Sequence, residues 1–428
     1  MYTSKAMNKN DFTIINGILF EYTGTEAEVT VPDGVKEIGI SSLAYTDIKK
    51  IILPESVKRI EWDAFDGCEE LETVVLPDGI EEIEERAFDG CESLEYTEYR
   101  GCRYLGSAEN PYLALAVCDS KNITEINIHK DTKLILARAF EGCESVTSAV
   151  IPDGVRYIGT AAFQSCTALE RVNFPESIRI IESSAFSFCE KLTAAVFHYG
   201  VEKICRSAFS CTSVCEVSIP DSIVHIGWGA LAHYNCIKHT CYGGGFYYGS
   251  AENPYTVLAG AKDNIESIEL HKDTKIILDR VFFDNKNLRN VTLPEGLLQI
   301  GEDAFCQCTA LESIALPESI KEIGEDAFAS CTALIEIKMP NGEIILGSGV
   351  FMGCEALKEI NLPACNVQSY TFSGCAALKK ASLADGAGYI DEYAFSDCPS
   401  LRELTLSKGT RVDGEAFDDS GKVEIKYI

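Results

Sequence analysis

Apolar and polar positions repeat along the chain in a fixed order, and each repeat is marked by an aromatic residue that usually follows alanine. The usual step between these anchors is 23 residues. Two steps are longer, 52 residues from Phe88 to Phe140 and 51 residues from Leu231 to Phe282, so each contains an ordinary repeat and a longer, irregular one. The anchors are Leu43, Phe65, Phe88, Phe140, Phe163, Phe186, Phe209, Leu231, Phe282, Phe305, Phe328, Phe351, Phe372, Phe395 and Phe417.

The spacing within one repeat predicts a short strand followed by a tight turn. In the copy that ends at Pro77, the pattern L-x-x-V-x-L-P places Val74 and Leu76 on one side of a strand, because strand side chains alternate. Ten of the thirteen prolines occupy this slot, usually followed by an acidic residue and then Gly or Ser. Proline presets φ and glycine tolerates positive φ, so the slot is typical of a corner. Apolar residues such as Ile80 and Ile83 then predict a second side of the coil.

One such unit has too little apolar surface to form its own core, whereas stacked units bury a continuous one. Fifteen anchors and two long units predict about seventeen coils. The fold class we expect is a mainly β repeat solenoid: a right-handed superhelix with a continuous parallel sheet and little helix.

The full repeat, A-F-x-x-C-x-x-L-x-x-V-x-L-P-x-x-V-x-x-I, resembles the BspA-like leucine-rich repeat proteins, a bacterial and protist family with a 23-residue unit. The resemblance runs from about Asp11 to the C-terminus, and ten copies keep cysteine three residues after phenylalanine. Departures are Asn285 in that cysteine slot, Cys211 one place early and Glu343 in place of an aliphatic residue. The resemblance implies adhesion-like or host-interaction roles, which some members have at the cell surface.

The domain organisation that we predict is one solenoid over residues 11–428 behind a flexible leader, residues 1–10. Residues 11–31 are expected to form a capping hairpin, with Asn16-Gly17 as its turn. Residues 408–428 are expected to form the C-terminal cap. The long irregular repeats are placed at 100–139 and 242–281, and they are near copies at an offset of 143 residues that slips to 142.

Both long repeats keep the motif Gly-Ser-Ala-Glu-Asn-Pro-Tyr. One interpretation is a pair of equivalent binding loops, with Asn110 and Tyr112 in the first and Asn253 and Tyr255 in the second. The other is structural, because an Asn-Pro turn and a packed tyrosine would also close an extra hairpin.

Charge and composition exclude several classes of function. With 37 basic and 66 acidic residues the net charge is −29, which argues against nucleic-acid binding because phosphate recognition depends on Lys and Arg. No apolar run is long enough for membrane insertion. The first residues lack the apolar stretch of a signal peptide, which favours a cytoplasmic location. If the natural start lies upstream, the protein is expected at the cell surface or secreted.

The nineteen cysteines favour buried free thiols over disulfides, because their number is odd and ten of them recur at equivalent positions. This interpretation predicts a reducing compartment.

No C-x-x-C pair occurs. A weak candidate for a metal site is the cluster His233, Cys236, His239 and Cys241, whose spacing would suit a tetrahedral ion. Chance placement and ordinary core positions explain the same cluster, so the sequence predicts no cofactor.

Nothing in the sequence predicts an enzyme. There is no G-x-S-x-G elbow, and six histidines offer few general bases. Carboxylate pairs such as Glu81-Glu82 and Glu84-Glu85 are no evidence for a glycosidase in a chain with 66 acidic residues, and most of them are interpreted as a solvated face.

A surface for binding is therefore the main expectation. The outward residues of the stacked strands form two columns, and the first half carries aliphatic side chains that make a candidate protein contact. The weak site candidates on this face are Ile52, Val75, Val150, Arg171 and Val196. The function predicted is a non-catalytic scaffold for protein–protein interaction, with a partner of unknown identity. The alternatives are an intracellular structural spacer without a specific ligand, or strand propensity alone as the reason for the aliphatic columns.

Overall fold

The structure, a computed structural model, describes residues 11–119, 121, 123–231, 237–386 and 388–427. These residues form two compact units: unit 1 within Met1–Glu216 and Gly229–His233, and unit 2 within Val217–Trp228 and Tyr234–Ile428. No described residue lies in an α-helix. The leader, residues 1–10, lies outside the described part.

Unit 1 is built from very short strands, mostly of two or three residues. They are β1 (Phe12–Ile15), β2 (Ile18–Tyr22), β3 (Glu28–Thr30), β4 (Glu37–Ile38), β5 (Lys50–Ile52), β6 (Arg59–Ile60), β7 (Thr73–Val75), β8 (Glu82–Ile83), β9 (Thr97–Tyr99), β10 (Cys102–Leu105), β11 (Ala114–Cys118), β12 (Leu134–Ile135), β13 (Ser148–Val150), β14 (Tyr157–Ile158), β15 (Arg171–Asn173), β16 (Ile180–Ile181), β17 (Ala194–Val196) and β18 (Lys203–Ile204). Strand β19 (Glu216–Ser218) begins in unit 1 and ends in unit 2.

Unit 2 repeats the same design. Its strands are β20 (His225–Ile226), β21 (Thr240–Tyr242), β22 (Gly245–Tyr248), β23 (Val257–Ala261), β24 (Ser267–Glu269), β25 (Ile276–Ile277), β26 (Asn290–Thr292), β27 (Gln299–Ile300), β28 (Ser313–Ala315), β29 (Glu322–Ile323), β30 (Glu336–Lys338), β31 (Ile345–Leu346), β32 (Glu359–Leu362), β33 (Lys380–Leu383), β34 (Tyr389–Ile390), β35 (Glu403–Leu406), β36 (Arg411–Val412) and β37 (Glu424–Tyr427).

Each ordinary coil contributes one strand to each of two parallel stacks. The strand that follows the conserved leucine pairs with its equivalent one coil away, as in β5–β7, β13–β15 and β28–β30. The two-residue strand before the next anchor does the same, as in β4–β6–β8 and β25–β27–β29. The prediction of a mainly β leucine-rich-repeat solenoid with parallel strands and little helix is confirmed. The parallel stacks are interrupted at the long repeats.

The anchors form the spine of the core. Phe163 and Phe186 stack with ring centroids 4.9 Å apart, and Phe305 and Phe328 stack at 5.1 Å, all four rings being fully buried. Offset stacking of this kind adds to the free energy of burial. Residues two places before and two places after an anchor adopt positive φ, for example Asp303 and Gln307 around Phe305. These bends wrap the coil tightly around each ring.

The ten cysteines that follow the anchors are buried free thiols, each next to its equivalent in the neighbouring coil. Nine of their sulfurs donate to the carbonyl of the anchor one coil back, as Cys331 does to Phe305 at 3.2 Å. Burial raises the pKa of Cys398 to about 12, so this thiol stays protonated at neutral pH. The buried thiols act as small core residues.

The long repeats leave this pattern by forming antiparallel hairpins. Strands β10 and β11 pair antiparallel in the first, and β22 and β23 in the second. In the first hairpin Cys102 lies opposite Cys118, with Cα atoms 4.1 Å apart, and the two are disulfide-bonded. Cys215 is disulfide-bonded as well. The expectation of free thiols throughout is therefore wrong at Cys102, Cys118 and Cys215. For Cys102 and Cys118 the reason is that cross-strand neighbours in a hairpin meet at bonding distance, whereas the stacked cysteines hydrogen-bond to carbonyls.

The ends of the described chain also pair. Strands β1 and β2 form an antiparallel hairpin around Asn16 and Gly17, which both have positive φ. Strand β2 then pairs parallel with β4 and covers the first coil. At the other end, β37 pairs with β35.

Candidate functional site

The surface that the sequence favours for binding is formed by the outward residues of the longer strand in each coil, and we call it the strand-lined face. In unit 1 the register places Ile52 beside Val75 and Ser148 beside Arg171. Ile52 is 36% exposed and Val150 is 68% exposed. Val196 and Arg171 are exposed as well, and Val75 is half-buried.

The aliphatic residues do not form one uninterrupted strip. Val75 bridges to Gly106 in the first long repeat. Asn173 is the register partner of Val150 on the neighbouring strand. Its side chain is bonded to the backbone of Ile151, accepting from the amide at 2.6 Å and donating to the carbonyl at 3.1 Å. The face therefore carries separate aliphatic patches on an otherwise polar sheet.

In unit 2 the same face is polar and concave. A groove of about 680 Å³ crosses strands β30, β32, β33 and β35. Its outward lining residues are Glu336, Lys338, Asn361, Ser382 and Thr405. These side chains offer hydrogen-bond donors and acceptors of both charges along four neighbouring coils. Such a groove suits an extended polar chain better than an apolar ligand.

The first candidate loop is held by its own side chains. Asn110 accepts from the Tyr112 amide at 3.3 Å and donates to the Asp131 carbonyl at 3.0 Å. The ring of Tyr112 stacks on His129, with centroids 3.8 Å apart. A Cβ on Gly106 would lie 2.1 Å from the Asn110 carbonyl oxygen, so glycine is needed there.

The second loop repeats this arrangement. Asn253 accepts from the Tyr255 amide at 3.1 Å and donates to the Asp221 carboxylate at 2.7 Å. Tyr255 stacks on His271 at 3.8 Å. In both loops the asparagine forms the turn and the tyrosine packs on a histidine. Each tyrosine keeps part of its ring exposed.

The candidate metal cluster is divided by the limits of the described chain. His233 and Cys236 lie outside the described residues. His239 packs against Phe246, with ring centroids 4.8 Å apart, and Cys241 is an exposed free thiol on β21. A cluster able to hold a metal ion occurs elsewhere among the described residues, at Glu82, Glu84 and Glu182.

The interpretation of the carboxylate pairs as a solvated face is wrong for the pair Glu84-Glu85. Glu84 and Glu85 are buried, at 8% and 9% exposure. Glu85 accepts from Arg138 at 2.8 Å, and Glu84 accepts from Arg59 at 2.6 Å. The first long repeat brings distant coils against β8, and no local pattern in the sequence signals that contact.

No helix in the described residues is both long and apolar enough to cross a membrane.

A family model described as a BspA type leucine rich repeat region, with six copies, matches residues 5–108, 115–240, 259–369 and 344–427. None of the curated proteins compared matches the chain.

Three solved structures illustrate the likeness in fold. A leucine-rich repeat protein from Bacteroides ovatus is 21% identical, with 99% of this chain and 97% of that chain covered and a TM-score of 0.36. The pneumococcal vaccine antigen PcpA is 18% identical, with 99% and 98% covered and a TM-score of 0.38. A leucine rich cell surface protein from Faecalibacterium prausnitzii is 21% identical, with 99% and 98% covered and a TM-score of 0.29.

Proposed function

The chain belongs to the BspA-type leucine-rich repeat family, and from this premise we propose that it is a non-catalytic scaffold that binds a protein partner. The contact surface is the strand-lined face, supported by the loops of the two long repeats. The observation that carries the proposal is the in-register display of exposed side chains on this face, with Val150 68% exposed on a sheet strand. Repeat folds use extended surfaces of this kind for binding.

The chemistry of the face defines the partner that fits it. Aliphatic patches at Ile52, Val150 and Val196 suit apolar side chains of a partner. The polar groove at Lys338 and Asn361 suits an extended backbone, which presents donors and acceptors at a regular spacing. The net charge of −29 favours a partner with a basic surface.

The proposed contact surface also includes the loops of the two long repeats. Tyr112 and Tyr255 are fixed by their histidine neighbours, so a partner would meet a preorganised ring. A fixed tyrosine contributes contact area with little loss of side-chain entropy. An adhesion-like role is the form of this function that fits the family resemblance.

The test uses random peptides displayed on phage and selected against the full chain. Selected peptides are then measured against the double variant Val150→Asp, Val196→Asp. The matched control is the double variant Ile40→Asp, Ile345→Asp, which adds the same two charges at aliphatic residues that are each 66% exposed and lie outside the strand-lined face. We expect the Val150→Asp, Val196→Asp variant to bind the selected peptides at least tenfold more weakly. A tenfold loss corresponds to about 1.4 kcal/mol of binding free energy. The control should bind them as tightly as the unaltered chain does.

Two outcomes would reject the proposal. Selection of no peptide above background would favour a structural spacer without a specific ligand. Equal losses in the double variant and the control would show that binding is unspecific or lies on another surface.

A further inference from the structure

Within unit 1, the edge strand of one sheet lies against a second sheet where the first long repeat interrupts the stacking. Strand β8 ends one sheet, and strands β12, β14 and β16 belong to the next. Arg138 reaches back to Glu85, and Arg156 donates to the carbonyls of Asp78 and Ile80 at 2.8 and 2.5 Å. These contacts hold β8 alongside strands that are far away in sequence.

Three carboxylates converge at this junction, and together with Tyr157 we call them the acidic seam. Glu82 and Glu84 come from β8 and the residue after it, and Glu182 follows β16. One carboxylate oxygen from each lies within 4.8 Å of the other two. Glu84 is buried and the other two are partly buried. Three anionic groups this close, away from bulk water, repel each other strongly unless a cation balances them.

The protein supplies only part of that balance. Arg59 contacts Glu84 at 2.6 Å and Glu82 at 3.3 Å, but it also contacts a fourth carboxylate, Glu61, at 2.7 Å. Lys203 is near enough to act on Glu82 but lies exposed.

A second observation points to a missing ligand. The Tyr157 side chain is fully buried, and its hydroxyl has no hydrogen-bond partner in the structure. The carboxylates of Glu182, Glu84 and Glu82 lie near enough to act electrostatically on this hydroxyl. A buried hydroxyl without a partner is unfavourable, so native proteins satisfy such groups, often with ordered water.

The equivalent junction in unit 2 is closed by the protein itself. Gln299 occupies the place of Tyr157 in the duplication, and its amide both accepts from the Ile226 amide at 2.9 Å and donates to the Ile226 carbonyl at 3.0 Å. His225 takes the place of Glu82 and lies 2.9 Å from Glu322. There is thus one junction with paired side chains and one with surplus oxygens around an unpaired hydroxyl.

We propose that the acidic seam binds one Ca²⁺ ion, with Glu82, Glu84 and Glu182 as ligands and the Tyr157 hydroxyl oxygen accepting a hydrogen bond from a water carried by the ion. Ca²⁺ takes six to eight oxygen ligands, so three carboxylates leave room for that water. This site is separate from the strand-lined face and does not depend on the proposed function.

The kind and number of ligands favour Ca²⁺ over Mg²⁺. Ca²⁺ accepts several carboxylates in a flexible geometry, whereas Mg²⁺ demands near-octahedral geometry and usually keeps several waters, with only one or two carboxylates. Three carboxylates from two sheets, one of them buried and two partly buried, therefore fit Ca²⁺ better.

The test is calorimetric titration of CaCl₂ into the full chain after treatment with chelator, at physiological ionic strength so that unspecific binding to the acidic surface is screened. We expect one saturable site. Glu182→Gln should weaken Ca²⁺ affinity by at least ten- to a hundredfold, because loss of a residue that only supports a metal ligand already has an effect of about that size. Tyr157→Phe should weaken Ca²⁺ affinity by about tenfold. Glu81→Gln is the control, because Glu81 is an exposed neighbour outside the cluster.

Circular dichroism of each variant establishes that the fold is retained. Tyr157→Phe changes no charge, so a loss of Ca²⁺ affinity in this variant cannot come from a change in the net charge of the protein. Absence of a saturable site, or a site that Glu182→Gln and Tyr157→Phe leave unchanged, would overturn the proposal. Equal affinity for MgCl₂ would overturn the assignment of Ca²⁺.

Discussion

The two junctions at the long repeats occupy equivalent positions of a duplication, yet they solve the same packing problem with opposite chemistry. In unit 2, Gln299 pairs with the backbone of Ile226, and His225 pairs with Glu322. In unit 1, Tyr157 faces carboxylates and leaves its hydroxyl unpaired. The repeat backbone therefore tolerates either arrangement. The residues at the edge decide whether the junction is closed by the protein or is open to a ligand.

The hairpins beside these junctions also differ from each other. Cys102 and Cys118 are bonded in the first, and the equivalent pair in the second is Gly245 opposite Ala261. A Cβ on Gly245 would lie 2.7 Å from the Leu258 side chain, so the second hairpin packs its core where the first places a disulfide.

The largest effect is expected from removing that disulfide. Cys102→Gly with Cys118→Ala copies the second hairpin into the first. The bond spans 16 residues, and loss of a loop constraint of that length costs about 3 kcal/mol in the chain-entropy description. Hydrogen exchange of peptides from β10 and β11 should speed up, whereas β22 and β23 should be unchanged. Reductant should reproduce the effect in the unaltered chain, and no difference between oxidised and reduced protein would contradict it.

A smaller loss is expected at the closed junction. Gln299→Ala leaves the Ile226 amide and carbonyl buried without partners, which should lower the local free energy of unfolding by about 2 kcal/mol. Hydrogen exchange around β20 measures it. The matched change in unit 1, Tyr157→Phe, removes a hydroxyl that bonds to nothing and should be nearly neutral in chelator. Equal losses at both positions would show that the junctions do not differ as described.

The pH dependence of the two junctions should also differ. Because burial raises the folded pKa of Glu182 above its ordinary value of about 4.5, the stability gained from its neutral form is complete below that value and is lost as the pH rises through the folded pKa. In chelator, unit 1 should therefore be less stable at neutral pH than at pH values near 4.5. The charged and titratable groups at this junction are Arg59, Glu61, Glu82, Glu84, Tyr157, Glu182, Lys203 and Cys205.

Glu182→Gln checks the sign of this effect. The neutral amide should stabilise unit 1 at neutral pH in chelator and flatten its pH dependence, as followed by thermal unfolding. Destabilisation by the same variant in chelator would show that the glutamate is adequately paired without an ion.

The smallest effect concerns thiol reactivity and leaves stability unchanged. Cys241, at the start of the second long repeat, and Cys211 are exposed thiols. They should react with a thiol reagent in the folded protein, and the buried cysteines after the anchors only upon unfolding. Cys241→Ser should remove one rapidly reacting thiol per chain. Rapid reaction of a buried thiol such as Cys398 would contradict the packing described for it.

Much of this architecture is determined by the sequence alone. The phenylalanine spacing, the proline corners and the paired apolar positions specify a stack of short parallel strands, because each repeat must bury its apolar side against the next one. The cysteine three places after ten of the anchors is buried for the same reason. Family membership follows from these local patterns.

Only the tertiary structure decided what happens at the interruptions. Nothing local to Glu84 distinguishes it from the solvated glutamates around it, since its burial arises from strands brought back by the first long repeat. The Cys102–Cys118 pair depends on a hairpin register, and the convergence of Glu82 with Glu182 depends on the edge of one sheet meeting another sheet across about a hundred residues of sequence. Repetition is a local property that a sequence displays directly, whereas contacts between coils that do not follow each other depend on how the chain closes around the irregular segments.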